Sequence, residues 1–320
     1  NMKILFVTIH FGEYINEIVR EMKNNGNSVD IIYTDNYLIN PAYFIYKITK
    51  GRFQKITDIE YQKRKFAKYK KENYDVIFTL VGRGIDEKLF GNFLQSQKKA
   101  YKVLYLWDDV KRISEFERIK KFYDKIYSFD PKDCERYGFT HFPLFYCNQF
   151  RYLLCEKDID LSCIGGLHSD RYNVLCELKD QFKNYNVFFY LKTTFLHFLK
   201  ILLDLREKNI SITHFKRLTL KKTAEITLKS NVMVDLPFES QTGLTIRTFE
   251  AMAAHTKLAT TNADIINYDF YNPANIIIID RNKAEIPKDF LKSQFQSIPL
   301  KIMEKYSIKS WVNTIISKEE

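Results

Sequence analysis

The feature that most restricts the fold of this chain is an alternation of short apolar runs with helical stretches, and it occurs twice. The predicted strands are 3–9, 28–34, 74–81, 102–107 and 125–129 in the first half, and 160–165, 186–191, 211–215, 232–237, 257–261 and 275–280 in the second. Nearly all-apolar strands that are each followed by a helix form a parallel sheet covered by helices on both faces. The sequence therefore predicts an α/β protein with two Rossmann-like, doubly wound domains facing a cleft.

The intervening segments show helical spacing of apolar residues. In the first of them Ile15, Ile18 and Met22 fall on one face, and Gly26 is expected to end the helix. Further helices are expected over 195–208 and 219–229, and a single amphipathic helix is expected over 301–316.

The length of 320 residues exceeds what one compact core usually holds. We expect an N-terminal domain over 1–150 and a C-terminal domain over 151–300. The remaining segment, 301–320, is expected to form a terminal helix that can pack back on the first domain.

The chain carries 50 Lys and Arg against 39 Asp and Glu, a formal net charge of +11. Much of the basic charge lies in 61–75 and 221–230, which are typical of solvated helix faces. Such an excess fits an anionic partner or general solubility, and the sequence leaves both open. A nucleic-acid partner is not expected, because no basic motif interleaved with aromatic residues occurs.

The five cysteines include no CxxC pair, which predicts reduced thiols and no zinc site. Lys3 leads directly into a strand, so we expect no signal peptide and a cytoplasmic location. The apolar stretch 187–205 is interrupted by Lys192, His197 and Lys200, so it is expected to lie in the fold and not to span a membrane. A peripheral contact with an anionic membrane stays open.

Ligands of open parallel sheets lie outside the carboxyl ends of the strands. Polar residues follow almost every predicted strand at that edge. In the first half they are His10, Gly12, Arg83, Asp86, Asp108 and Asp109, and in the second half they include Gly166, Arg171 and Lys192.

The stretch ESQTGLTIRTFEAMAAHTKLATTN (239–262) combines a polar loop, a helix and a short strand. A helix starting near Leu244 or Thr245 offers unpaired amides to a phosphate, and Gly243 would let the backbone approach it. Arg247 could pair with phosphate and Glu250 with ribose hydroxyls. Alternatively, Arg247 and Glu250 form an i,i+3 ion pair on an exposed face. If Glu250 binds ribose, Glu250→Ala should weaken binding and leave the protein folded.

Several segments resemble GT-B glycosyltransferases, particularly the CgeB-like and capsule or lipopolysaccharide enzymes of bacteria. These segments are GLTIRTFEAMA, KLATTN, LYLWDD, YSFDPKDCERYGFTHFPLFY, YDFYNPANIIIIDR and YSIKSWVNTI, and the similarity runs from about 3 to 316. The resemblance implies a C-terminal domain that binds a nucleotide sugar and an N-terminal domain that binds the acceptor. It implies no cofactor and no metal.

The resemblance also assigns roles. Glu250 matches the ribose-binding glutamate of the family, and Gly243 matches the glycine of its phosphate loop. The donor-binding set is Gly166, Arg171, Lys192, Thr242, Gly243, Leu244, Thr245, Arg247 and Glu250, with Arg171 and Lys192 opposite the diphosphate. Many retaining enzymes have a second glutamate eight residues earlier, where this chain has Thr242, and that departure puts a retaining mechanism of that type in doubt.

The acceptor side is expected to use Gly12, Arg83 and Asp86, although the last two could equally mark a helix start. Asp108, Asp109 and His10 are the candidate general bases, and Asp109 could instead cap the following helix.

The sequence thus predicts a metal-independent glycosyltransferase that moves a sugar from a nucleotide-diphosphate donor to a glycan, such as a lipid-linked precursor of capsule or lipopolysaccharide. The alternatives are a nucleotide-sugar 2-epimerase and a non-catalytic subunit that binds a nucleotide sugar.

Overall fold

The computed structural model describes residues 1–35, 52–203 and 210–318. The chain divides into two compact units. The first comprises Asn1–Pro143 together with Ile308–Glu320, and the second comprises Leu144–Ser307. Within the described ranges, no helix is long and apolar enough to cross a membrane.

The first unit is built on a six-stranded parallel sheet. Its strands are β1 (Lys3–Thr8), β2 (Ser28–Tyr33), β3 (Val76–Leu80), β4 (Tyr101–Leu106), β5 (Lys125–Ser128) and β6 (Thr140–His141). They lie in the order β2-β1-β3-β4-β5-β6, with every neighbouring pair parallel. β1 and β3 are buried almost throughout, as expected for strands covered on both faces.

The helices of this unit follow the signals in the sequence. They are α1 (Tyr14–Asn24), α2 (Arg52–Tyr69), α3 (Glu87–Leu94), α4 (Phe116–Ile119) and α5 (Pro131–Tyr137). The Asp130 carboxylate accepts bonds from the amides of Lys132 and Asp133 at the start of α5, and Gly138 ends that helix at a φ of +73°. Gly26 follows α1 at a φ of +81°, which confirms the predicted stop.

The second unit repeats the plan. Its strands are β7 (Ile159–Gly166), β8 (Val187–Lys192), β9 (Thr213–His214), β10 (Ser230–Asp235), β11 (Lys257–Thr260) and β12 (Ile276–Ile278), in the order β12-β11-β10-β7-β8-β9. All neighbours are again parallel. The helices are α6 (Arg171–Gln181), α7 (Phe195–Leu203), α8 (Leu220–Leu228), α9 (Ile246–Ala253), α10 (Lys288–Lys292) and α11 (Leu300–Lys305). The prediction of two doubly wound parallel sheets is confirmed.

Two predicted elements of the second unit differ in extent. The strand expected over 211–215 is the two-residue β9, because a 3₁₀ turn over Ile210–Ile212 precedes it and the Thr213 hydroxyl closes that turn on the Ile210 carbonyl at 2.8 Å. The helix expected over 195–208 ends as α7 at Leu203, and 204–209 lie outside the described residues.

The single C-terminal helix expected over 301–316 is wrong. The structure has α11 and then α12 (Ile308–Ile316), and these belong to different units. The Tyr306 carbonyl accepts a hydrogen bond from the Tyr146 amide at 2.9 Å. The Tyr306 hydroxyl donates a hydrogen bond to Asp269 at 2.7 Å. These contacts hold the backbone between the two helices in a non-helical path.

Candidate functional site

The carboxyl edge of the second sheet gathers most of the predicted donor residues. β10 lies between β7 and β11, so the loops after these three strands are neighbours. Gly166 ends β7, Asp235 ends β10 and Thr260 ends β11. The loop after β10 leads into α9 and carries Thr242 to Thr245.

Arg171 connects two of these loops. Its Nη1 donates to the Gly166 carbonyl at 2.8 Å, and its Nε donates to the Leu236 carbonyl at 3.1 Å. A Cβ on Gly165 would lie 2.3 Å from Nη1, so the close approach requires glycine there. The guanidinium is buried and bonded to carbonyls, a structural role that differs from the predicted contact with a diphosphate.

Arg281 performs a similar function and was not selected from the sequence. Its guanidinium pairs with Asp170 at 2.5 Å, donates to the Pro237 carbonyl and reaches the Thr261 hydroxyl at 3.2 Å. Three loops are therefore joined by one side chain. The available signal was an arginine directly after the predicted strand 275–280.

A buried carboxylate that was not predicted from the sequence holds the start of α9. Thr245 occupies the N-cap position, but its hydroxyl donates to Asp235 at 2.7 Å and forms no cap hydrogen bond with the helix. Burial raises the pKa of Asp235. The first turn of α9 therefore lies at the carboxyl edge of the sheet, and its backbone amides receive no hydrogen bond from the Thr245 side chain.

The loop before α9 is held by amide side chains. Asn262 Nδ2 donates to the carbonyls of Thr242 at 3.0 Å and Gly243 at 3.3 Å, while Gln241 Nε2 donates to the Gly243 carbonyl at 2.7 Å. Leu244 is buried beside them. The predicted segment 242–245 is therefore a tethered turn in front of a helix.

Arg247 and Glu250 form an ion pair, as one of the two sequence interpretations expects. The pair does not lie on an exposed face, because the Glu250 side chain is fully buried. Arg247 Nε also donates to the Ile164 carbonyl of β7 at 3.2 Å. The pair joins α9 to the sheet, and the contact of Glu250 with ribose stays a prediction.

Lys192 is the predicted cation that stays available. It ends β8 opposite Gly166 in the register, and its side chain is half-buried. Within 1–35, 52–203 and 210–318, its ammonium makes no hydrogen bond or ion pair. Gly166 has open space where a Cβ would stand. An anion at this edge would find its counter-charge at Lys192.

In the first unit, His10 pairs with a carboxylate. Asp35 Oδ1 lies 2.9 Å from His10 Nδ1 and also accepts from the His10 amide at 2.9 Å. The imidazole stacks on the Tyr33 ring with centroids 3.8 Å apart. In the neutral tautomer that carries its proton on Nδ1, the ring donates to Asp35 and Nε2 is the nitrogen that can accept a proton. His10 was predicted from the sequence, and Asp35, which follows Thr34 at the end of β2, was not.

The other two candidate bases have different surroundings. Asp108 is paired with Arg83 at 2.8 Å. Asp109 is buried, lies 3.4 Å from Arg112 Nε, and has its pKa raised by burial. It forms no side-chain cap on the following 3₁₀ turn, so the capping alternative is not met. His10 combines partial exposure with an orienting carboxylate and is the best placed of the three.

The loop after β3 contains a strained turn. Val81, Gly82 and Gly84 have φ values of +72°, +77° and +77°. A β-branched residue at positive φ is unusual, and such strain persists where its surroundings determine it. Asp86 caps α3 by accepting from the Leu89 amide at 2.9 Å, so its helix-start alternative is the one observed. Gly12, after β1, also has a positive φ, of +67°.

A buried glutamine holds that turn. Gln62 Nε2 donates to the carbonyls of Thr34 at 2.9 Å and Gly84 at 2.8 Å, and its Oε1 accepts from the Asp86 amide at 3.1 Å. Gln62 is fully buried on α2. No local pattern predicts this role, because the partners of Gln62 lie more than twenty residues away along the chain.

No group of three or more His, Cys, Asp or Glu able to hold a metal ion occurs among the described residues. The absence of a metal requirement stays a prediction.

The architecture is shared with several solved structures. Anabaena HepE in complex with UDP and glucose matches with a TM-score of 0.60 at 8% identity, over 99% of this chain and 96% of that one. The chain has the GT-B fold. The N-terminal domain of Candida albicans trehalose-6-phosphate phosphatase matches with a TM-score of 0.64 at 9% identity, over 99% of this chain and 96% of that one. UDP-GlcNAc 2-epimerase from Neisseria meningitidis bound to UDP-GlcNAc matches with a TM-score of 0.52 at 9% identity, over 98% of each chain.

No protein-family model and no curated protein matches the sequence. At identities this low the likeness concerns the fold. The narrower resemblance to CgeB-like enzymes stays a prediction.

Proposed function

We propose that this GT-B protein is a glycosyltransferase that uses a nucleotide-diphosphate sugar. The observation that carries the proposal is the His10–Asp35 pair at the carboxyl edge of the first sheet. A carboxylate that orients an imidazole is the arrangement by which histidine serves as a general base. A hydroxyl of a glycan acceptor is the group from which His10 would remove a proton.

The donor belongs to the carboxyl edge of the second sheet in this proposal. The first turn of α9 and the Lys192 ammonium supply positive charge for a diphosphate. Glu250 is proposed to bind the ribose, as the family resemblance implies. The acceptor oxygen, losing its proton to His10, bonds to the anomeric carbon. The bond from that carbon to the diphosphate breaks, and the nucleoside diphosphate leaves with the electron pair.

The acceptor is proposed to be a lipid-linked precursor of bacterial capsule or lipopolysaccharide, on the cytoplasmic face of the membrane. Phe195, Leu203 and Phe215 are exposed near α7, with Phe215 and Phe198 in ring contact at 5.2 Å. Lys216 and Arg217 are exposed next to them. Apolar side chains flanked by cations suit peripheral contact with anionic lipid.

The first experiment is a thermal-shift panel with UDP, GDP, CMP, ADP and dTDP. One nucleotide should raise the melting temperature, because a ligand at 100 times its dissociation constant stabilises the native state by about 2.7 kcal/mol. Lys192→Ala should reduce that shift while leaving the melting temperature without ligand unchanged. No shift with any of the five would point to a non-catalytic subunit.

The second experiment supplies the matching nucleotide sugar and an acceptor extract, and follows the products by NMR. Transfer should fall by about 10²- to 10⁴-fold in His10→Asn while the nucleotide shift persists. An epimerised free donor with no transfer would replace this proposal with a 2-epimerase.

A further inference from the structure

A thiol and an amine lie together at the end of α8 in the second unit. The Cys155 thiol donates to the Leu228 carbonyl oxygen at 3.5 Å, and Lys157 Nζ donates to the same oxygen at 3.0 Å. Because both groups contact one oxygen, the sulfur and the nitrogen are close neighbours. We call these two residues the thiol–amine pair.

Cys155 is the thiol that solvent reaches most easily. All five cysteines belong to the described residues: Cys134, Cys147 and Cys163 are buried, Cys176 is half-buried, and Cys155 is exposed. A cysteine reacts as its thiolate, and only with compounds that have access to it. Among the five, Cys155 is therefore the best placed to accept a group from a dissolved compound.

Lys157 loses its proton more readily than an exposed lysine does. Its Nζ donates to the Leu228 and Ser230 carbonyls at 3.0 and 2.9 Å, and to the Thr256 hydroxyl at 3.0 Å. All three acceptors are uncharged, and within the described part of the chain no carboxylate pairs with this ammonium. Burial lowers the pKa of Lys157 to about 8. The neutral amine, which is the nucleophilic form, is therefore populated at a pH at which ordinary lysines stay charged.

The thiol–amine pair is separate from the candidate donor site. The ammonium contacts Ser230, the first residue of β10, whereas Asp235 ends that strand beside the start of α9. The 6 residues of β10, at about 3.3 Å each, place its two ends roughly 20 Å apart. The function proposed above makes no use of the pair.

We propose that the thiol–amine pair is an acylation site, at which Cys155 takes an acyl group from a dissolved thioester and passes it to Lys157. The Cys155 thiolate adds to the carbonyl carbon of the thioester. The carrier thiolate leaves with the electron pair and takes up the proton that Cys155 lost. The Lys157 amine then adds to the same carbon, and the bond from that carbon to the Cys155 sulfur breaks. An amide forms, and the proton that the nitrogen releases goes to the Cys155 thiolate.

The closeness of the two groups supplies the rate of the second step. Two groups held side by side react as if one of them were present at a very high concentration. The exposed sulfur captures the acyl group from solution, and the neighbouring amine receives it within the same molecule. The acyl group stays on the nitrogen, because an amide is more stable than a thioester.

Acylation changes what Lys157 holds together. Its ammonium joins the last residue of α8, Leu228, to the first residue of β10, Ser230, and to Thr256 just before β11. The acylated nitrogen has no charge and one N–H donor for three acceptors. The modification therefore weakens the attachment of residues 155–157 to these elements.

The test is incubation of the full chain with acetyl-coenzyme A, followed by mass spectrometry of its peptides. Cys155→Ser should lower the acetylation of Lys157 by about tenfold or more, because the amine loses its neighbouring acyl donor. The control residue is Lys221, an exposed lysine at the other end of α8, whose acetylation should stay unchanged. The melting temperature of Cys155→Ser should match that of the wild type, because the side chain is exposed.

Lys157→Arg tests the order of the two steps. Arginine keeps the positive charge and the N–H donors but does not take the acyl group, so the acetyl group should accumulate on Cys155 as a thioester that hydroxylamine removes. Equal acetylation of Lys157 in the wild type and in Cys155→Ser would show direct attack by the lysine and overturn the proposal. An equal fall at Lys157 and Lys221 would reject the pairing of the two groups. No acetyl group on Lys157 in the wild type, or no thioester in Lys157→Arg, would also overturn it.

Discussion

At the scale of single residues, the basic side chains of the second sheet edge divide by what they bond. Arg171 donates hydrogen bonds to backbone carbonyls, and Arg281 pairs with Asp170. Arg247 is paired with Glu250. Lys192 keeps its ammonium available at the same edge. Arginine, with five donors in a fixed plane, suits the joining of several acceptors, while a single lysine can respond to a ligand.

The Arg247–Glu250 pair should contribute strongly to stability. Arg247→Ala is expected to lower the free energy of unfolding by about 3–5 kcal/mol, because it breaks a pair whose carboxylate is fully buried. Urea denaturation measures this change. For the same reason, Glu250→Ala is now expected to destabilise the fold, contrary to the expectation from sequence.

The control is Arg20→Ala, which removes an i,i+3 pair with Glu17 in which the arginine side chain is 61% exposed. It should cost about 0.5 kcal/mol or less. Similar losses in both variants would mean that burial of Glu250 does not decide the strength of its pair.

Asp109 should impose a pH dependence on stability. Burial raises its pKa above the usual 3.8, so the folded state binds a proton more tightly than the unfolded chain does. The stability this gives is present below the unfolded pKa and is lost as the pH rises through the folded pKa. Asp109→Asn should therefore be more stable than the wild type at pH 7, with the difference shrinking toward pH 4. Thermal melts across pH 4–7 measure it, and a difference that grows on acidification would contradict the argument.

At the scale of elements, a few side chains fix the loops that follow strands. The Thr245 hydroxyl holds the start of α9 by donating a hydrogen bond to Asp235. The Gln62 side chain holds the strained turn after β3 by hydrogen bonds to its backbone. Both side chains satisfy groups on other elements, and each therefore couples a helix to a sheet edge. Loops held in this way can present ligand-binding groups with little freedom.

Gln62 offers a test of that coupling. Gln62→Leu should lower the free energy of unfolding by about 2–4 kcal/mol, since three backbone groups of the turn lose their buried partner. Urea denaturation of Gln95→Leu, an exposed glutamine in the same unit, should show a change within about 0.5 kcal/mol. Equal behaviour of the two variants would show that the turn does not depend on Gln62.

At the scale of the whole molecule, the chain completes its first unit with its last helix. Trp311 on α12 is 1% exposed and packs against Tyr105 at 4.7 Å and Phe78 at 5.9 Å between ring centroids. The core beneath β3 and β4 is therefore built from residues more than two hundred positions apart.

Removal of that ring should destabilise the first unit. Trp311→Ala is expected to cost about 3–5 kcal/mol because it leaves a cavity in a close-packed core. Lys309→Ala, an exposed position on the same helix, should leave the unfolding curve almost unchanged. A near-native curve for Trp311→Ala in urea denaturation followed by Tyr and Trp signals would contradict this role of α12.

Much of the fold followed from local patterns. The predicted strands begin and end within two residues of their observed positions, because nearly all-apolar runs mark strands covered on both faces. The edge strand β6 was not predicted, because it has two residues and both are exposed. The candidate site was predictable in part, since polar residues after strands must meet at one edge. Asp35, Gln62, Asp235 and Arg281 were missed because each acts through a partner on another element.

The sequence by itself determined two parallel α/β sheets and the loops that lie at their carboxyl edges, because apolar periodicity and caps act over a few residues. The tertiary structure alone decided which charges are free. It enclosed Glu250, bonded Arg171 to carbonyls, and left Lys192 available. Burial and pairing arise between distant residues, and so no local pattern records them.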